Sequence, residues 1–291
     1  VNTPPPPSDI TTVFPELAGY ERTTTLLHPR PGTPEVHESS IGGPLLWPAD
    51  EPWPTAQVPY DQEAIPLVAV LQLWVRDFPE LAHPKDRDVL QILWCPDDNV
   101  DAFDMDYFRT GLPDAGFMVV WRRSEDVTEV LADVPRPAGD QTISKGYVPV
   151  PCRLVPERVT EYPPAWVLGQ AFDDHAQRRD DELDSHYNRV RSFADGSKVG
   201  GWHADCGVGG PYFGAFVCDC GTPLSPLLSL ASTEVAHTDR TTTTSYLVPP
   251  AAEPRGRECS EPTGLVLGNW TNLQLFYCTE SWDHPVQRYV M

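Results

Sequence analysis

Leu273-Gln274-Leu275-Phe276-Tyr277-Cys278 repeats, 183 residues further along, the pattern of Leu90-Gln91-Ile92-Leu93-Trp94-Cys95. Both blocks read Leu-Gln-apolar-apolar-aromatic-Cys, and short apolar runs of this kind read as buried strands. Two more pairs of blocks stand in the same order. Ser39-Ser40-Ile41-Gly42-Gly43 answers to Ser197-Lys198-Val199-Gly200-Gly201, and Pro66-Leu67-Val68-Ala69-Val70-Leu71 answers to Pro226-Leu227-Leu228-Ser229-Leu230. Their offsets are 158 and 160 residues, so the halves keep step until roughly 23 residues enter the second. Three blocks in one order predict an internal duplication that gives two related β-rich halves. In each half the Gly-Gly pair answers a need for positive φ or close backbone approach.

The fold class that follows is mainly β, a β-rich α+β protein. A chain of 291 residues exceeds the usual single-domain size, which suits a duplicated unit. The first half is expected over 10–165 and the second over 166–291, packed as one compact unit. Residues 1–9 are a Pro-rich tail with too little apolar surface to order itself. Leu67–Val75, Gly116–Trp121, Leu224–Leu230 and Gly264–Leu267 also read as strands, and 146–163 as an edge strand or extended connection. One clear helix is predicted over about 173–193. Ala176, Leu183, Tyr187, Val190 and Ala194 share one face, Asp173 and Asp174 suit its start, Arg189 and Arg191 its end, and Gly196 stops it. The long stretch 232–263 reads as a disordered loop.

A formal net charge of −21, from 42 acidic and 21 basic residues, argues against nucleic acid or an anionic membrane as partner, because both need a cationic face. It favours a basic protein partner; the plainer alternative is that acidity only keeps the chain soluble. The longest apolar run, near 65–75, is far shorter than the ~20 residues of a membrane span. The opening Val1-Asn2-Thr3 and its following prolines lack the features of a secretory signal. A cytoplasmic protein is expected. Its seven cysteines then read as reduced thiols or metal ligands rather than a disulfide framework.

Cys218-x-Cys220-Gly221 is the most chemical-looking motif. His203-x-x-Cys206 precedes it, and Cys278 and His284 follow in the chain. Thiolates and imidazoles at such spacing build tetrahedral zinc sites, and a glycine after the second cysteine suits a tight metal knuckle. The candidate ligands are Cys218, Cys220, Cys206 and His203, holding a structural zinc. The alternative is a set of buried or surface thiols with no ligand role; Cys278, which ends its block as Cys95 does, reads as a buried core thiol. No Gly-x-Ser-x-Gly elbow, phosphate-cradling loop or complete dinucleotide fingerprint occurs. The acidic cluster Asp97, Asp98, Asp101, Asp104 and Asp106 lacks the glycine and closing glutamate of a calcium loop, and reads as a solvated turn.

The repeat blocks also carry a resemblance. Ser39-x-Ile41-Gly42-Gly43-Pro44 leading to Trp47-Pro48, Leu71-Gln72-Leu73, and Leu90-Gln91-Ile92 before Asp97-Asp98 resemble the first half of the YwqG-like family of uncharacterised bacterial proteins. Lys198 to Trp202, Cys218-Asp219-Cys220-Gly221 and Gly268-Asn269-Trp270 resemble that family's C-terminal signature. The scarcity of lysine (Lys85, Lys145 and Lys198) beside 33 prolines agrees with a GC-rich bacterial source. The resemblance implies a duplicated, mainly β architecture but no established activity, and some relatives are encoded near toxin genes. The chain departs from the family where Leu230-Ala231-Ser232 replaces a Leu-Gln-Ile-Asp type of ending.

Two functions of different class are therefore expected. The first is a non-catalytic interaction module, of immunity type, whose acidic surface meets a basic partner. The second is an enzyme or small-ligand binder with a cleft between the halves, lined by Gln72, Gln91, Trp202 and Asn269. A deep pocket lined by both repeats distinguishes the second, and a flat acidic face the first.

Overall fold

Short apolar runs broken by Pro and Gly fold into short strands, and the chain is mostly β. The computed structural model describes residues 10–57, 63–97, 116–139, 141, 143–169, 172, 174–175, 194–203, 217–234, 260–268 and 270–290. After a short helix, α1 (Ile10–Val13), come β1 (Arg22–Leu26), β2 (Arg30–Pro31), β3 (Ser40–Ile41), β4 (Thr55–Ala56) and β5 (Ile65–Pro66). The longer strands β6 (Val68–Trp74), β7 (Val89–Trp94) and β8 (Phe117–Arg122) follow, then β9 (Cys152–Arg153) and β10 (Glu157–Glu161). The last are β11 (Lys198–Gly200), β12 (Leu224–Ala231), β13 (Asn272–Cys278) and β14 (Gln287–Val290).

These strands form two six-stranded sheets and one small pair. One sheet has the order β2-β9-β3-β6-β7-β8, the other β10-β1-β11-β12-β13-β14, and β4 pairs with β5. Pairing is antiparallel throughout the described ladders. The expected strands over 67–75, 89–95, 116–121, 224–230 and 273–278 are present to within a residue or two. Gly264–Leu267 is not a strand. Its amides bond to scattered acceptors, Val266 N–H to Gly146 O and Leu267 N–H to Ser232 Oγ, rather than to one ladder. The expected helix lies almost wholly outside the described residues, with Phe172, Asp174 and His175 at its start helical. The Pro-rich tail 1–9 and most of the stretch 232–263 also lie outside them.

The runs β3-β6-β7-β8 and β11-β12-β13-β14 share more than order. Each carries a bulge in its second strand, between Ala69 and Leu71 in β6 and between Pro226 and Leu228 in β12. Leu71 lies opposite Ile41 and Ile92, and Leu228 lies opposite Val199 and Leu275. The register therefore matches Leu71-Gln72-Leu73 with Leu228-Ser229-Leu230. That corrects the sequence alignment through Pro66 and Pro226, which ran three residues out of step. Ser229, facing Gln274, stands where Gln72 faces Gln91.

The sheets do not divide at residue 165. β1 and β10, both from the first stretch of chain, complete the sheet built on β11 to β14. One hydrophobic cluster draws on both sheets, with Leu71, Leu90 and Trp94 beside Val199, Leu227 and Leu275. Cross-links between the halves include Val150 N–H to Thr263 O and the edge-on contact of Trp121 with Trp282, ring centroids 5.5 Å apart. β7 is buried at all six positions, as its Leu-Gln-apolar text predicts. The Gly-Gly pairs meet the expected need. A Cβ on Gly42 (φ +65°) would press on the Pro149 carbonyl, and one on Gly201 (φ +74°) on Glu161 and Thr24.

Candidate metal centre

β12 and β13 run antiparallel, with Leu224 at the start of one opposite Cys278 at the end of the other. That pairing brings the segment preceding β12 beside the segment following β13. The preceding segment is a tight turn closed by a Val217–Pro223 bridge. Within it Cys218 N–H donates to Thr222 O and Gly221 N–H to Cys218 O. Gly221 sits at φ +90°, the left-handed region that lets the chain reverse there. Cys218 and Cys220 project from this turn. The following segment is the β13–β14 connection, which returns His284 towards the end of β13.

Four ligand atoms converge there. Cys218, Cys220, Cys278 and His284 each offer one, all within 4.8 Å of one another. His284 Nδ1 is 3.2 Å from Cys278 Sγ and 3.5 Å from Cys218 Sγ, and the Sγ atoms of Cys220 and Cys278 are 3.6 Å apart. The bond with His284 holds the Cys278 thiol down to about 6 and raises His284 in turn. Cys220 is also lowered, chiefly through Thr222. Cys218 and Cys278 are buried in a small cluster with Leu224, Phe276 and Tyr289, while Cys220 is exposed. This set of three soft sulfurs and an imidazole is compatible with a metal ion.

Of the four ligands expected from sequence, Cys218 and Cys220 belong to this group. His203 is not one of its members; its ring packs edge-on against Phe276, centroids 5.5 Å apart, and burial pushes it down to about 4. Cys206 lies outside the described residues. Cys278 and His284 stood in view in the sequence, but 58 residues separate Cys220 from Cys278. Only the β12–β13 register brings them together. Cys95, at the matching position after β7, is a buried thiol, as expected.

The polar residues proposed to line a cleft are placed otherwise. Gln72 and Gln91 are fully buried. Gln72 Oε1 accepts from Leu46 N–H and Gln91 Nε2, and its own amide donates to Val36 O and Glu38 O. Gln91 Nε2 also donates to Leu46 O, and its Oε1 accepts from Arg122 Nε. The two amides thus fasten the 36–46 segment onto β6 and β7, and their hydrogen-bonding groups point inward. Trp202 is also buried, covered by the Arg22 guanidinium 3.6 Å from the ring centroid, and its backbone N–H donates to Glu161 Oε2. Glu161 in turn accepts from Lys198 Nζ and Ala194 N–H. Asn269 lies outside the described residues. In the acidic cluster Asp97 is buried rather than solvated, and its four companions lie outside the described residues.

No family model matches this chain, and a search of curated proteins finds no match to it. Among the described residues no helix is long and apolar enough to cross a membrane.

Proposed function

We propose that the protein is a non-catalytic binding module whose second sheet is fastened by one structural zinc ion, held by Cys218, Cys220, Cys278 and His284. The observation that carries this reading is the completeness of the ligand set. Zinc–sulfur bonds of about 2.3 Å and zinc–nitrogen bonds of about 2.0–2.1 Å give a tetrahedron with edges of roughly 3.8 Å between sulfurs and 3.6 Å between sulfur and nitrogen. The separations of 3.6, 3.5 and 3.2 Å lie close to those edges. Four protein ligands fill a tetrahedral zinc site, whereas a catalytic zinc keeps one position for water or substrate. The ion here would supply stability, drawing the turn at 217–223 and the 279–286 connection onto the β12–β13 ladder.

The partner we propose is a basic protein, supported by the net charge of −21 and its steering effect on a cationic surface. An immunity-type role rests on the toxin-linked setting of some members of the YwqG-like family, to which we assign the chain on its motifs. The matching strand order and bulge of the two sheets support descent from one duplicated unit. Thiolate ligands suit a reducing compartment, and we place the protein in the cytoplasm.

Cobalt(II) exchange tests the closed site. The cobalt protein should show the visible absorption of a tetrahedral, thiolate-rich ion, unchanged by azide or cyanide. A spectrum that shifts when these anions are added would reveal an open position and favour the enzyme reading.

A further inference from the structure

We propose that this metal centre is released by oxidation: a peroxide joins Cys220 to Cys278 in a disulfide, and the ion leaves. The loss of the ion rests on the zinc reading above, and the bond rests on the thiol geometry alone. The two Sγ atoms are 3.6 Å apart, so a disulfide of about 2.05 Å needs a closure of roughly 1.5 Å between two side chains. Their segments are already held side by side, because Leu224 pairs with Cys278 and the Val217–Pro223 bridge closes the turn that bears Cys220. Exposure decides where the reaction starts. Cys220 is open to solvent, whereas Cys95, Cys152, Cys218 and Cys278 are buried.

The chemistry balances with hydrogen peroxide as oxidant. The Cys220 thiolate attacks one peroxide oxygen, the O–O bond breaks, and the departing hydroxide takes a proton to become water, leaving Cys220 as a sulfenic acid. The Cys278 thiolate then attacks the Cys220 sulfur, the S–O bond breaks, and a second hydroxide leaves as water after protonation. Two thiolates, one hydrogen peroxide and two protons become one disulfide and two waters; the sulfurs give up two electrons and the peroxide oxygens accept them. Two of the four ligands are consumed. Cys218 and His284 alone do not hold the ion. A dithiol reductant restores both thiolates, so the change is reversible and couples the fastening of β12 and β13 to the redox state around the protein.

The test treats the zinc-loaded full chain with hydrogen peroxide. Released zinc is followed with a chromogenic chelator, and the disulfide is located by peptide mapping. The expected result is zinc release in step with a Cys220–Cys278 disulfide, reversed by dithiothreitol with added zinc, and no disulfide in Cys220→Ser. A loaded protein that keeps its zinc under excess peroxide overturns the proposal and leaves the zinc site standing. A disulfide mapped to another pair, or release with only sulfinic acid formed, also overturns it. Protein that carries no zinc before treatment overturns the zinc reading instead.

Discussion

Gln72 is fully buried on β6 in the middle of an apolar strand, and all its polar atoms have partners. Replacing it with leucine keeps much of the volume but removes the acceptor of Leu46 N–H and the donor to Val36 O. Leaving such buried groups unpaired costs about 1–3 kcal/mol each. Urea unfolding of Gln72→Leu should therefore show a loss of about 2–3 kcal/mol with an unchanged slope; an unchanged midpoint would contradict this account of the residue. The sequence showed Gln72 within the Leu71-Gln72-Leu73 motif, without a counterpart in the second half, and its role was not legible there. A polar side chain in an apolar run reads as a ligand contact until the 36–46 segment is seen folded over it. His203 has a different signature. Burial holds it at about 4 in the folded protein, below the ordinary 6.5, so folding favours its neutral form. The resulting stability is fully present above pH 6.5 and is lost as the pH falls through that window towards 4. It amounts to about 3 kcal/mol. The acid limb of a stability–pH profile should flatten over this window in His203→Phe, and a limb that keeps its slope would assign the acid sensitivity to other groups.

At the scale of elements, legibility followed side-chain chemistry. β6, β7, β8, β12 and β13 were readable because apolar residues make up most of each. β1 and β14 were missed because Arg22-Thr23-Thr24-Thr25-Leu26 and Gln287-Arg288-Tyr289-Val290 carry too few apolar residues to stand out from loops. Thr24 and Thr25 are nevertheless buried, the first by donating its hydroxyl proton to Val199 O. Gly264–Leu267 misled in the other direction, since apolar text alone does not provide a ladder partner. The glycine that ends β11's block is a sharper case. Gly201 has φ +74°, and a Cβ there would meet Glu161, which anchors Lys198, and the side chain of Thr24. Gly201→Ala combines backbone strain with overpacking and should lower stability by at least about 2 kcal/mol. A thermal midpoint equal to that of the parent protein would show that β11 tolerates the contact and that the conformation is not required.

At the scale of the molecule, the repeated blocks foretold the strands β6–β7 and β12–β13 in their right order, whereas β3 and β11 lie in the Gly-Gly blocks, which read in the sequence only for their glycine backbone. They did not foretell that β1 and β10 cross over to complete the second sheet, because short polar strands with distant partners leave no periodic trace. The candidate metal centre shows the same division. Cys218 and Cys220 were legible as a pair because they share one turn. Cys278 and His284 join them only through the register of β12 on β13 and the return of the chain into β14. Cys278 is the telling residue. It ends its block as Cys95 ends the first, yet it has two further thiols and an imidazole around it, while Cys95 lies buried in the main core. The central claim is thus that one metal ion is held by four residues that only the fold assembles. Elemental mass spectrometry of protein purified without chelator, on the parent chain, Cys278→Ser and Cys95→Ser, tests it most directly. The account predicts one zinc per chain in the parent and in Cys95→Ser, and its loss in Cys278→Ser. Metal-free parent protein, or zinc that survives in Cys278→Ser, would contradict it.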